Sequence, residues 1–378
     1  MMKTDSRQQR DSNLELLRIL GMFAIIAYHF FLQTAIYHEP NSSFSHCIAM
    51  FLGSFGRSSV NIFILIGAWF LIDLPFKSIR LVRLYIPYFC YTVVVTGIVI
   101  LSGKVQNGTA SGAMLRALTP FSSSPLWFIT DYIFLLLLTP ALNTLIHALD
   151  LRKYRFLHWV LISEFVVIPT VESALPGFGV YKYYVIKSDM SWMVALYLLA
   201  GYWKKNPDLW IKQKKWNAGC FVGMIVLCAG LCLTDFLLGK YCTHGFVTRK
   251  YHAILEFLVM DLSSVFCFCF AVAAFFFFQH VRIASRTLSN VINRISKNIL
   301  GIYILHQIPV FIPVMWGVFH TEKWVDSPWF VLFESGTVLL VFIAAWITDN
   351  FGTTALKPLL NASWLINSSK RIDDAINN

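Results

Sequence analysis

Long apolar runs recur along the whole chain, and they constrain the fold more than any other feature of the sequence. A helix needs about 20 predominantly apolar residues to cross the roughly 30 Å hydrocarbon core of a bilayer. Of the 378 residues, 57% are hydrophobic and only 13% are charged, which excludes an ordinary soluble globular domain. The sequence therefore predicts an all-α, polytopic transmembrane helix bundle of about ten spans, at 14–37, 47–73, 84–102, 125–147, 155–172, 189–203, 217–238, 255–280, 298–318 and 328–348.

The distribution of basic residues predicts the orientation of these spans. Short cytoplasmic loops hold an excess of Lys and Arg, and with the N-terminus inside, about 22 of the 31 basic residues fall on the cytoplasmic side. We therefore expect a multi-pass protein of the cell membrane with both termini in the cytoplasm. We expect one integral-membrane domain over 1–378, with cytoplasmic tails at 1–13 and 350–378. The net charge of +11 then reflects membrane orientation and anionic headgroups rather than nucleic-acid binding.

The eight cysteines fall mostly within the predicted spans and form no C-x-x-C pair. We interpret them as packed or lipid-facing thiols. The sequence therefore predicts neither a metal site nor a disulfide framework.

The first span carries two costly side chains at the ends of an uncharged run, in the stretch RILGMFAIIAYH. Arg18 and His29 are 11 residues apart, about three helical turns, so both project from one helix face about 16 Å apart along the axis. His29 then lies near mid-bilayer if Arg18 lies at the inner headgroups. Glu15, three residues before Arg18, shares this face and is the expected ion-pair partner of the guanidinium.

This face has two interpretations. In the first, Arg18 is a positive-inside anchor whose charge reaches the headgroups, and His29 forms a hydrogen bond between helices. Alternatively, an ionisable residue deep in a span marks a functional site. Histidine is the residue best suited to acid and base catalysis near neutral pH.

Five blocks that follow one another along the chain share their pattern with one known family. They are NLELLRILGMFAIIAYHF, GRSSVNIFILIGAWFL, IRLVRLYIPY, LWFITDYIFLLLLTP and ISKNILGIYILH. In this order they resemble the membrane acyltransferase-3 family, whose members mostly O-acylate cell-surface glycans. The family's R-x10-H motif, with an acidic residue three before the arginine, is matched by Glu15, Arg18 and His29. The second block departs from the family pattern at Gly67-Ala68, where Ser-Gly is usual, which puts a hydroxyl role there in doubt.

The resemblance implies a membrane-bound O-acyltransferase with Glu15, Arg18 and His29 at its catalytic centre. Such an enzyme, most often an O-acetyltransferase, moves an acyl group from cytoplasmic acetyl-CoA to a hydroxyl of an extracytoplasmic or lipid-linked sugar. The implied partners are acyl-CoA, a surface polysaccharide or lipid-linked glycan, and membrane lipids. A separate protein that accepts the acyl group remains an alternative to direct transfer.

Two further pairs of side chains are candidates for binding the acyl donor. Arg80 and Arg83 share a helix face at the cytoplasmic end of a span, and paired guanidinium groups suit phosphate. Tyr303 and His306 are also three apart, on the cytoplasmic half of the ninth predicted span. Each pair has a structural interpretation as well, as positive-inside anchors or as part of an aromatic belt.

Three residues are candidates for the acceptor sugar. Trp127 and Asp131 form an i, i+4 pair near the outer end of the fourth predicted span. An aromatic face beside a carboxylate suits sugar recognition, although a Trp in the aromatic belt is the commoner situation. Asn61, in the second block, is the third candidate.

These assignments suggest a mechanism in which acetyl-CoA docks from the cytoplasm against Arg18, Arg80 and Arg83. Its thioester reaches toward His29, which acts either as general base on the sugar hydroxyl or as nucleophile. A buried carboxylate would orient the imidazole. The candidate acids in or near spans are Glu164, Glu256, Asp261 and Glu334.

Two functions from other classes compete with acyl transfer. A transporter or flippase of a lipid-linked glycan predicts helices broken by Gly or Pro at corresponding positions of two halves, and the sequence lacks such paired breaks. A non-catalytic sensory or partner membrane domain predicts that Arg18 and His29 vary without loss of acyl transfer.

Overall fold

The apolar runs form helices. The structure is a computed structural model that describes residues 11–106, 108–119, 121, 124–174, 188–242, 245–325 and 327–377, and these contain helices and turns but no β-strand. In chain order the α-helices are α1 Ser12–Gln33, α2 Phe44–Leu71, α3 Ser78–Leu101, α4 Ala110–Leu118, α5 Trp127–Ala148, α6 Leu151–Ile162, α7 Ile168–Ala174, α8 Asp189–Lys205, α9 Lys214–Tyr241, α10 Phe246–Met260, α11 Val265–Gln279, α12 Arg286–Ser296, α13 Ile299–His306, α14 Ile312–Gly317, α15 Phe330–Leu360 and α16 Ser363–Asn377. A π-helical segment, Ser163–Val167, joins α6 to α7.

Eight helices within the described residues are long and apolar enough to cross a membrane. They are Ser12–Gln33, Phe44–Leu71, Ser78–Leu101, Trp127–Ala148, Leu151–Ser173, Lys214–Tyr241, Lys250–Gln279 and Phe330–Leu360. Each corresponds to one of the ten predicted spans, so the transmembrane helix bundle is confirmed. The orientation of the termini stays a prediction.

The two remaining predicted spans take other forms. The run at 189–203 becomes α8, a helix of 17 residues. The run at 298–318 is divided into α13 and α14 by a turn after His306. Pro309 lies in this turn and has no backbone N–H for a helical hydrogen bond. The break leaves His306 at the end of a short helix inside the bundle.

Helix α1 lies at the centre of the bundle, against α2, α11, α13 and α15. Its approach to α2 depends on glycine, because a Cβ at Gly56 would lie 2.5 Å from the Cβ of Tyr28. Small residues allow such close backbone approach between membrane helices, where van der Waals packing drives association. The glycine thus brings the side chain that follows it, Arg57, directly beside the His29 end of α1.

The ends of the bundle carry shorter amphipathic helices. Helix α12 contacts the N-terminal part of α1, where Asn293 Nδ2 donates to Ser12 Oγ at 3.0 Å. Helix α16 packs against the start of α3, whose Ser78 N–H donates to Asp373 at 2.6 Å. The region predicted as a tail, 350–378, therefore comprises the last turns of α15 and a helix packed on the bundle.

Candidate active site

The polar face of α1 has the geometry that its spacing predicts. Arg18 Nη1 donates to Glu15 Oε1 at 3.0 Å. Glu15 is only 5% exposed, and its second oxygen has no hydrogen-bond partner among the described residues. The pair thus holds the guanidinium of Arg18 against its own helix, at a point where it lines a cavity.

His29 forms a hydrogen bond with a fully buried histidine, His306. Its Nδ1 lies 3.0 Å from His306 Nε2, and His306 is 1% exposed. His306 Nδ1 lies 2.7 Å from the carbonyl oxygen of Ile302. A carbonyl only accepts, so Nδ1 of His306 carries a proton, and in the neutral ring its Nε2 is an acceptor. His29 therefore donates from Nδ1 and keeps a lone pair on Nε2.

The partner of His29 differs from the expected carboxylate. The rings of His29 and His306 are 5.1 Å apart between centroids, and they come from segments separated by 277 residues. Of the acids considered, Glu256 accepts from Tyr37 at 3.4 Å. The orienting group for the imidazole is thus another imidazole, a role that no local spacing predicts.

A cavity of about 270 Å³ joins the two ends of the α1 motif. Its walls come from α1, α2, α5, α13 and the turn before α13. The lining side chains that bear on chemistry are Arg18, Tyr28, His29, Arg57, Trp127, Tyr132, Lys297 and Tyr303. The cavity therefore connects an end with Arg18 and Lys297 to an end with His29 and Arg57.

A second cavity of about 390 Å³ adjoins the first. It contains Arg80 and Arg83, and the two cavities share Arg18, Tyr132 and Leu300 in their walls. The three arginines predicted to bind the donor thus line one cavity, and Arg18 stands between that cavity and the space that leads to His29. Guanidinium groups grouped in this way suit an anionic ligand.

The acceptor candidates are not placed together. Trp127 lines the cavity that contains His29, whereas Asp131 lines neither cavity. Asn61 is fully buried elsewhere: its Nδ2 donates to the carbonyl of Leu262 at 2.7 Å, and its Oδ1 accepts from Trp192 Nε1 at 2.9 Å. These contacts join α2 to α8 and to the turn before α11, so the amide of Asn61 is engaged within the bundle.

The other two donor candidates, Tyr303 and His306, are both on α13, but they have different surroundings. Tyr303 lines the cavity and donates its hydroxyl to the carbonyl of Pro125 at 3.3 Å. The ring of His306 lies 5.8 Å from that of Tyr303, on the side of His29. Tyr303 therefore supports the wall of the cavity, and His306 supports the imidazole of His29.

A buried carboxylate fixes the helix that carries His306. Asp349 accepts hydrogen bonds from Tyr91 at 2.6 Å and from Asn298 at 2.5 Å, so both of its oxygens are engaged. A Cβ at Gly301 would overlap this carboxylate. Glycine thus allows α13 to pack directly on the polar group of α15 that holds it.

Arg57 is a site residue that the sequence analysis did not assign. It lines the same cavity as His29, donates from Nε to the carbonyl of Met260 at 2.9 Å, and its Cζ lies 5.3 Å from the centroid of the Tyr28 ring. A fixed guanidinium beside an imidazole, inside a membrane helix, is costly, which makes Arg57 a candidate for the chemistry of the site. Its position in the middle of a long apolar helix was the available signal.

Within the described residues, no group of three or more His, Cys, Asp or Glu side chains is arranged to hold a metal ion. The arrangement found is instead one of fixed cations, a paired imidazole and aromatic walls. Chemically it can bind an anion, accept a proton and stabilise a developing negative charge.

Comparison with known proteins gives one match. A family model described as an acyltransferase domain matches residues 11–349, a range that includes every residue of both cavities. The search of curated proteins found no match. The search of solved structures found none either.

Proposed function

Because the chain belongs to the acyltransferase-3 family and is a membrane acyltransferase, we propose that its adjoining cavities transfer an acyl group from acyl-CoA to a sugar hydroxyl. The donor is acetyl-CoA, and the acceptor is a hydroxyl of an extracytoplasmic or lipid-linked sugar of a surface polysaccharide. The observation that supports this proposal most strongly is that the cavity with three arginines and the cavity with His29 adjoin and share wall residues.

The donor's phosphates bind at the end that contains Arg18, Arg80 and Arg83. Guanidinium groups contact phosphate oxygens in pairs and keep their charge in every environment. Lys297 lines the same cavity as Arg18 and adds a fourth cation to this end. The pantetheine arm then extends along α1, over the roughly 16 Å that 11 residues of helix supply, and brings the thioester to His29.

His29 acts at the other end as the base. Its Nε2 lone pair accepts the proton of the sugar hydroxyl, and the hydroxyl oxygen attacks the thioester carbonyl carbon. The imidazolium that forms is stabilised because Nδ1–H donates to His306 Nε2. When the carbon–sulfur bond breaks, the departing thiolate takes the proton back from His29. The alternative, in which Nε2 attacks the carbonyl first and forms an acyl-histidine, uses the same lone pair.

In this scheme Arg57 stabilises the carbonyl oxygen of the thioester. One of its N–H groups donates to the Met260 carbonyl, which fixes the position of the guanidinium. A preorganised donor placed where charge develops is often the largest single contribution to catalysis. We assign Arg57 to the stabilisation of the oxyanion, and Trp127 to the sugar ring on the cavity wall.

The test is transfer itself. Protein in sealed vesicles receives acetyl-labelled acetyl-CoA and an envelope glycan extract, and the label is recovered from glycan as alkali-labile ester. The proposal predicts ester-linked label that depends on the protein. A protein that moves the lipid-linked glycan across the vesicle membrane without labelling it would instead support the transporter or flippase.

A further inference from the structure

A second large space lies away from the candidate active site, between α6, α8, α9 and α11. It is a groove of about 910 Å³, and none of its lining residues is shared with the two cavities described above. Its lining includes large apolar side chains that are exposed, Trp159 at 60% and Trp210 at 57%. In a membrane bundle such side chains face lipid, so this groove is reached from the bilayer.

One end of the groove is basic. This end lies at the end of α8, where Lys205 donates to the Leu149 carbonyl just before α6. Helix α9 starts a short loop after α8, so α6 and α9 both start here. Arg155 lines the groove, and Asp208 lines it as well. The first turns of α6 and α9 add further bases: Arg152, Lys153, Lys214 and Lys215. Basic pockets between spans at a membrane surface bind anionic headgroups.

The next layer of the groove contains a hydrogen-bond donor that lacks an acceptor. His158, three residues after Arg155, lies on the same face of α6 and about 4.5 Å further along the helix. Its Nε2 accepts from Trp203 Nε1 at 3.1 Å, because an indole N–H only donates. The neutral ring therefore carries its proton on Nδ1, and Nδ1 has no partner among the described residues. His158 is 8% exposed and lines the groove.

Beyond His158 the lining is apolar. The walls there are formed by Ile162, Met224, Phe268, Val272 and Ala273. Gly223 also lines the groove, and a Cβ built on it meets no atom within 4 Å, so this position faces open space. From one end to the other, the groove thus offers a cation, then a neutral N–H donor, then hydrocarbon.

We propose that this groove binds an anionic glycerophospholipid. Its phosphodiester lies at Arg155, an ester carbonyl of the glycerol accepts from His158 Nδ1–H, and an acyl chain occupies the apolar part beside Gly223. Because Asp208 shares the basic end with Arg155, a singly charged phosphodiester suits it better than a multiply charged ligand. This site does not depend on the proposed acyl transfer.

The test measures retained lipid. Protein is reconstituted in vesicles of equal phosphatidylglycerol and phosphatidylcholine with identical chains, extracted in mild detergent, and examined by native mass spectrometry. The wild type retains phosphatidylglycerol in preference to phosphatidylcholine. Arg155→Gln lowers this preference about fivefold, which corresponds to about 1 kcal/mol for one basic residue at the headgroup level. Lys370→Gln, which removes an exposed base on α16 outside the groove and its basic end, leaves it unchanged.

A second variant fills the groove without disturbing the backbone. Gly223→Phe places a ring in the open space and removes bound lipid of both kinds. Gly230→Phe is its control, since Gly230 lies on the same helix, also faces open space and does not line the groove. Equal retention of the two lipids by the wild type, or equal lipid in the two phenylalanine variants, overturns the proposal.

Discussion

Replacement of His306 by phenylalanine is the change that bears most closely on the paired imidazoles. Phenylalanine keeps a planar aromatic ring at a position that is 1% exposed, but it offers no acceptor for His29 Nδ1–H. Glutamine at the same position supplies an amide oxygen that can accept. The two variants therefore separate the loss of a hydrogen bond from the loss of packing.

The expected loss of activity follows from the hydrogen bond that the substitution removes. The hydrogen bond between His29 and His306 is 3.0 Å long, and it becomes a bond to a charged donor when His29 takes a proton. Such bonds contribute about 1.5–3 kcal/mol, and every 1.4 kcal/mol is a factor of ten. We expect His306→Phe to lower kcat about ten- to a hundredfold, with KM for acetyl-CoA nearly unchanged. His306→Gln recovers part of this loss.

The assay is transfer of labelled acetyl to glycan, with donor concentration varied to separate kcat from KM. His46→Phe is the matched control, because His46 is also a buried histidine with its Nδ1 at a backbone carbonyl, that of Ile36, and it does not line either cavity. Wild-type kcat in His306→Phe would refute the support role of His306. A rise in KM alone would return His306 to the donor site predicted from sequence.

Two further predictions concern the donor end and the helix that carries His306. Arg80→Gln and Arg83→Gln each raise KM for acetyl-CoA about tenfold with little change in kcat, because charged hydrogen bonds to phosphate act on binding; a fall in kcat at constant KM would contradict this. Gly301→Ala lowers the free energy of unfolding by about 1–3 kcal/mol through overlap with Asp349. Gly336→Ala, in open space on α15, does not lower it. The two variants are compared by thermal unfolding in detergent, and equal loss of stability in both would contradict the packing described.

The helices could be predicted from sequence because each is encoded locally. Apolar runs of sufficient length appear as the helices that cross the bundle. The break between α13 and α14 was missed, since an apolar run remains apolar through a turn and only Pro309 signals it. The packing of α16 on α3 was missed for another reason: its hydrogen bonds, such as that from the Ser78 N–H to Asp373, join segments separated by 295 residues.

The candidate site was predictable in part. The Glu15–Arg18 contact follows from helical spacing, and it is present. Spacing also grouped His306 with Tyr303, but tertiary packing turns His306 toward His29. The sequence analysis does not assign Arg57, because its place beside His29 depends on the close approach of α1 and α2 at Gly56. Asn61 was assigned to substrate from its motif, and its burial against Trp192 has no local signature.

The most direct test of the proposed function compares wild type, His29→Ala and His46→Ala, inserted and expressed equally, in transfer of labelled acetyl from acetyl-CoA to envelope glycan. Loss of a general base costs about 10²- to 10⁴-fold, so we predict that label in the glycan falls by at least this factor in His29→Ala and persists in His46→Ala. Equal labelling by wild type and His29→Ala would contradict the assignment of the paired imidazoles to the chemical step.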